Sequence, residues 1–150
     1  VGLSSNDSAF VAWKTSGALV SWGDPDTAHV LHPRHAGDSI VDVVGGEGSF
    51  AALLASGRVS TWGLPDHGGN SSSVAGHLEE GVSQVMSSGR AFAAIKRDGR
   101  VVAWGHDHWG GSLPLDHIQW GSAGSIMTQS CNYMDPDEDE AGAVFIAMVG

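Results

Sequence analysis

The sequence predicts a mainly β protein: tandem three-stranded antiparallel repeat units forming a partial propeller or a short β-solenoid, with a short helix between units two and three. Three observations lead there. The segment "RAFAAIKRDGRVVAWG" (residues 90 to 105) is written twice before, as "GSFAALLASGRVSTWG" (48 to 63) and "SAFVAWKTSGALVSWG" (8 to 23). Its landmarks keep register: Phe10, Phe50 and Phe92 align, then Gly17, Gly57 and Gly99, then the pairs Trp22-Gly23, Trp62-Gly63 and Trp104-Gly105. The Trp residues of these pairs lie 40 and 42 positions apart. A fixed period of about 20 to 50 residues marks a solenoid, propeller or array, in which no single unit can bury its own apolar face.

Each unit reads as three strands. In unit three (about 82–117), "VSQVMSSG" (82–89), "RAFAAIKRDG" (90–99) and "RVVAWG" (100–105) have strand composition. The last two are joined through Arg97-Asp98-Gly99, where Gly supplies the positive φ of a tight hairpin. Thr15-Ser16-Gly17 and Ala55-Ser56-Gly57 are the equivalents in units one (about 1–39) and two (about 40–81). On the second strand, Phe92 and Ala94 are expected to point inward, as are Phe50 with Ala52 and Phe10 with Ala12. Small Ala beside large Phe implies closely stacked sheets. Each Trp is expected to pack between adjacent units, its Gly letting the chain turn.

The loop after Trp62-Gly63 is expected to continue into a helix with Ser72 or Ser73 as N-cap, Val74 and Leu78 on one face, and Gly81 as the stop. Pro25, Pro33, Pro65 and Pro114 mark irregular chain. Residues 118–150 read as a divergent fourth unit or capping tail. Strand-like "IQWGSAGSIMTQ" (118–129) and apolar "AVFIAMVG" (143–150) flank an acidic loop, "CNYMDPDEDEAG".

Composition narrows function. The 150 residues and 41% hydrophobic content suit one folded domain. No apolar run approaches the roughly 18 residues of a membrane span, and "VGLSSNDSAF" lacks signal-peptide features, which favours an intracellular or organellar location. A net charge of −10, from 17 acidic against 7 basic residues, repels a phosphate backbone and excludes nucleic acid as a partner. The single Cys131 excludes an internal disulfide and a thiolate metal cluster.

Repeats that end in a hairpin Gly, alternating apolar residues and Trp-Gly, as in "GSFAALLASGRVSTWG" and "RAFAAIKRDGRVVAWG", resemble those of the regulator of chromosome condensation family. The spacing near 40 is similar to the compact blades of the related β-lactamase inhibitory propeller and of short tandem arrays in bacteria and some algae. The resemblance covers roughly residues 1–117 and implies a propeller fold. Family propellers close with about seven blades, whereas this chain has three clear units and a degenerate fourth. Three explanations stand open: a fragment of a longer protein, a homo-oligomer that closes the ring, or a subunit whose open ends dock on a larger assembly. Nucleotide exchange on a small GTPase, which the resemblance would otherwise imply, uses a large propeller face that this short chain is not expected to supply.

Candidate chemistry is sparse. His29, His32 and His35, and the pair His106 and His108, carry imidazoles suited to zinc, but their spacing matches no standard site and no fourth ligand stands ready. Asp135, Asp137 and Asp139 alternate as in a calcium loop, yet the sixth-position Gly and the distal Glu are missing. No nucleophile elbow, phosphate loop, dinucleotide fingerprint or HExxH motif occurs, so no catalytic residue, metal or cofactor is expected. The loops after each Trp-Gly are the functional candidates, because equivalent loops of stacked repeats gather on one side. Asp24, Asp26, Asp66, His67, Asp107, His108 and Trp109 would line that face. The expectation is a non-enzymatic protein-interaction module. A structural accessory subunit of a large organellar or photosynthetic membrane complex is the second reading, and a metal-binding protein using the histidine loops the third.

Overall fold

The structure, a computed structural model, describes residues 1–28, 37–113, 123–128 and 145–149. Three antiparallel sheets follow one another, each a meander of consecutive strands. They are β1 (Gly2–Ser5), β2 (Ala9–Trp13) and β3 (Leu19–Gly23); β4 (Ile40–Gly45), β5 (Ser49–Leu54) and β6 (Val59–Gly63); and β7 (Val82–Ser87), β8 (Ala91–Lys96) and β9 (Val101–Gly105). A further antiparallel pair is formed by β10 (Ala123–Thr128) and β11 (Phe145–Val149), with β10 next to β7 and β8 of the third sheet.

Local chemistry sets the meander. In the β8–β9 hairpin the Lys96 amide donates to the Arg100 carbonyl at 2.8 Å and Gly99 closes the turn at φ 86°, a conformation that penalises any residue with a Cβ. The β2–β3 and β5–β6 hairpins repeat this with Gly17 and Gly57. Register then places Phe opposite Trp in every unit: Phe10↔Trp22, Phe50↔Trp62 and Phe92↔Trp104. Their rings stack at centroid distances of 5.6, 5.5 and 5.5 Å. Units two and three share one more detail, a bulge between Ile40 and Asp42 and another between Val82 and Gln84.

The sheets stack face to face. Ala9, Val11 and Trp13 of β2 pack on Phe50, Ala52, Leu54 and Trp62 of the second sheet. The other face of that sheet, with Ala51, Leu53 and Val59, packs on Phe92, Ala94 and Trp104 of the third. All six residues of β5 and all six of β8 are therefore buried, and not only the inward Phe and Ala positions that the alternation predicts. A strand in the middle of a stack has no solvent face.

Phe10 and Trp22 depart from the expected inward packing. They are 46% and 48% exposed, whereas Phe50 and Phe92 are at 0%, and Trp62 and Trp104 at 5% and 1%. The cause is position. Each Phe/Trp face is covered by the preceding unit, and among the described residues no sheet precedes unit one.

The segment between units two and three is a 3-10 turn (Ser72–Val74) running into a single α-helical turn at Ala75–Leu78. Leu78 is buried and Val74 packs with it against the core between the second and third sheets. The expected caps are not used. Ser71 occupies the N-terminal position of the 3-10 turn, and its hydroxyl bonds with Thr61 Oγ1 at 2.9 Å instead of capping. Gly81 does end the segment with a positive φ of 75°.

Candidate protein-interaction face

Chain direction decides which residues share an end of the stack. The second strand of each unit runs from the first turn to the hairpin turn, and the third strand returns, so the first turns and the segments after Trp-Gly meet at one end. Backbone hydrogen bonds pin them together in all three units: Asp24 N–H to Ser8 O at 3.0 Å, Leu64 N–H to Gly48 O at 2.9 Å, and His106 N–H to Arg90 O at 2.9 Å. Trp-Gly is the pivot. Gly23, Gly63 and Gly105 have φ of 127°, 103° and 110°, and a Cβ on Gly63 would stand 2.5 Å from Gly48 O.

Beyond the pivot, the second and third loops have one backbone. Pro65–His67 and Asp107–Trp109 are 3-10 turns closed by left-handed Gly68 and Gly110, and the Gly69 and Gly111 amides return to Leu64 O and His106 O at 3.0 Å each. The first loop differs: Pro25–Ala28 is one turn of α-helix, with the Asp24 carboxylate accepting from the Asp26 amide at 2.8 Å. Position by position, Asp26, Asp66 and His108 correspond, as do Thr27, His67 and Trp109. The repeat thus extends past Trp-Gly as a scaffold holding variable side chains. "GLPDHGG" and "GHDHWGG" share only their Gly spacing, and that was the signal available for the common turn.

Asp24, Asp26, Asp66, Asp107 and His108 are exposed, and His67 and Trp109 are half-buried. The structure brings all seven candidate residues to the same end, distributed over three successive loops. A second feature, invisible to local sequence reading, ties two units together there. Arg90 forks onto Glu47 through Nε and Nη2 at 2.7 and 2.8 Å, and its guanidinium lies 5.3 Å from the Trp109 ring centroid. The partners are 43 residues apart, in corresponding turns of units two and three. Hydrogen bonding from Arg90 holds the Glu47 carboxyl below its ordinary range; the charges of Arg90 and His67 add to this, against the opposing effect of burial.

The ends differ in charge. Among the described residues, the loop end carries Asp7, Asp24, Asp26, Glu47, Asp66 and Asp107 against Arg90 alone. The hairpin-turn end mixes Asp38, Asp42, Glu79, Glu80 and Asp98 with Lys14, Arg58, Lys96, Arg97 and Arg100. The excess negative charge of the described chain is concentrated at the loop end.

The histidine candidates do not form a metal site in the described chain. His106 and His108 lie on either side of Asp107 at the start of a 3-10 turn, not on a strand, with ring centroids 5.7 Å apart and tilted by 45°. Among the described residues no group of three potential ligands converges. His29, His32, His35, Cys131 and the Asp135, Asp137 and Asp139 series lie outside the described residues. No helix among the described residues is long and apolar enough to cross a membrane.

No protein-family model and no curated protein sequence matches this chain. Solved structures do. Prp20p of Saccharomyces cerevisiae superposes with a TM-score of 0.55 at 19% identity, over 73% of this chain and 31% of that one. Human WBSCR16 gives 0.55 at 19%, over 75% and 35%, and yeast RCC1 (Prp20) in its complex with Kap60 gives 0.52 at 18%, over 69% and 29%. The fold is that of RCC1-type propeller repeats. The chain spans about a third of the length of these proteins and forms a partial propeller of the RCC1 type.

Proposed function

We propose that the chain is a non-enzymatic protein-binding module that presents its acidic loop end to a basic protein surface. The observation that carries this is the concentration of exposed carboxylates on three pinned loops, with one guanidinium locked between Glu47 and Trp109. A fixed array of like charge on a rigid scaffold speeds encounter with an oppositely charged partner and rejects partners of its own sign. Trp109, half-buried beneath Arg90, offers an aromatic anchor of the kind that concentrates binding energy. Proteins of this fold do engage protein partners: the Prp20p structure is described with its binding to Gsp1p and histones, and yeast RCC1 with Kap60.

The test separates location from net charge. Purified core histones serve as the basic probe, titrated against the wild-type chain, against Asp26→Asn/Asp66→Asn/Asp107→Asn, and against Glu79→Gln/Glu80→Gln/Asp98→Asn. The first triple variant is expected to lose binding while the second, with the same change in charge at the opposite end, retains it. Equal loss in both, or no saturable binding by the wild type, overturns the reading.

A further inference from the structure

A cavity of about 290 Å³ lies beside the β8–β9 hairpin. Its lining includes the basic residues Lys96, Arg100 and His77 together with the aliphatic residues Val74, Val101 and Leu113. Lys96 sets it apart. This side chain is 8% exposed, and among the described residues no other charged side chain is buried. Its place in the repeat is that of Leu54, as the equivalent turn bonds show: Leu54 N–H to Arg58 O at 2.9 Å and Lys96 N–H to Arg100 O at 2.8 Å. Leu54 belongs to an apolar core cluster. Unit three therefore buries a cation where unit two buries an aliphatic side chain, and the unit-one equivalent, Lys14, is exposed.

Taking an ammonium out of water costs free energy that only a good set of partners returns. Lys96 Nζ donates to the His77 carbonyl at 2.9 Å, which uses one of its three donors. Among the described residues no carboxylate pairs with it. Arg100 is already neutralised, because Asp98 Oδ2 accepts from its Nε at 2.8 Å and lies 2.7 Å from its Nη2. Lys96 is thus the cation left for a ligand. A burial rule broken in one repeat only, at the wall of a cavity, points to a binding site rather than to packing.

We propose that this cavity binds a small monocarboxylate with a short aliphatic body. The carboxylate accepts from the remaining donors of Lys96 Nζ, a charge-assisted bond of the strong kind, while the aliphatic part covers Val74, Val101 and Leu113. One open cation selects a monoanion over phosphate, which needs more donors to offset the loss of its hydration. The volume stands near the lower end for small-molecule sites and fits an acid of a few carbons. None of the candidate loop residues lines the cavity, so the proposal does not depend on what the acidic end binds.

The experiment is an amide NMR titration of the 150-residue chain with hexanoate, acetate, hexanol and inorganic phosphate, each to tens of millimolar. Hexanoate is expected to bind saturably and more tightly than the other three, with the shifted amides centred on residues 74–77, 96 and 100–103. Lys96→Met keeps the apolar stem and removes the charge, and is expected to weaken hexanoate binding by about tenfold or more. Leu113→Glu, which sets a negative charge in the lining, is expected to weaken it as well and keeps the test decisive should Lys96→Met not fold. Lys14→Met, the same change at the exposed equivalent in unit one, is expected to leave it unchanged. Far-UV circular dichroism confirms that each variant is folded. A wild type that hexanoate does not saturate, shifts centred elsewhere, acetate, hexanol or phosphate binding as tightly as hexanoate, or affinity unchanged in the folded cavity variants overturns the proposal.

Discussion

Replacing Trp104 by Ala is expected to destabilise the protein far more than replacing Trp22, although the two occupy the same place in the repeat. Trp104 is 1% exposed, stacks on Phe92 at 5.5 Å and 15°, and donates from Nε1 to Gly68 O at 3.1 Å in the loop of the preceding unit. Truncating a fully buried Trp costs about 3 to 5 kcal/mol in lost transfer energy and cavity, and stranding the Gly68 carbonyl adds about 1 kcal/mol. Trp22 is 48% exposed and opens onto solvent, so its removal leaves no cavity. About half of the transfer energy is at stake, roughly 1 to 1.5 kcal/mol. With an unfolding entropy of about 2.1 cal/mol/K per residue, a 150-residue chain loses roughly 3 °C of Tm per kcal/mol. Trp104→Ala should therefore lower Tm by about 12 °C or more, and Trp22→Ala by about 3 to 5 °C. Thermal and urea denaturation at low micromolar concentration measure both. Equal losses, or a larger loss at Trp22, would refute the stacking order of the units.

Other consequences follow from single residues. Gly63→Ala forces a Cβ into a φ of 103° and to within 2.5 Å of Gly48 O, so a loss above about 2 kcal/mol is expected in urea titration. Gly76→Ala, in the helical turn with nothing within 4 Å of the added carbon, should instead stabilise by about 0.4 to 1 kcal/mol. Glu47 has a folded-state pKa below its unfolded value, so its pairing contributes stability above the ordinary carboxylate range, and this is lost as pH falls through the folded value. Both partners are about one-third exposed, so the contribution is at most about 1 kcal/mol and screened by salt. The gap in unfolding free energy between wild type and Glu47→Gln should accordingly shrink between neutral pH and strongly acidic pH, and should be smaller in high salt at neutral pH.

The strands were legible because each hairpin announces itself locally: Gly99 after Asp98, alternation on both sides, and Trp-Gly at a spacing that repeats. Exposure of Phe10 and Trp22 was not, since their local sequence matches that of Phe50 and Trp62; what differs is their place in the stack, which no local pattern records. The same reason explains why β5 and β8 are buried on both faces despite Ser49 and Lys96 at their ends. The expected serine cap does not form: no side chain caps either turn, and the Ser71 hydroxyl, at the N-terminal position of the 3-10 turn, pairs with the Thr61 hydroxyl, a partner ten residues away that local sequence does not reveal. At the candidate face the loops could be named from the repeat, whereas the Glu47–Arg90–Trp109 bridge and the charge difference between the two ends appear only once topology sets distant turns side by side.

Hydrogen exchange on the chain with and without saturating core histones tests the central claim most directly, because it reports which end is covered. Slowed exchange confined to residues 24–28, 64–69 and 106–111, with the hairpin turns at 14–17, 55–58 and 97–100 unchanged, is the result expected for recognition through the acidic loop end. Protection at the hairpin turns, or spread evenly over both ends, would contradict it.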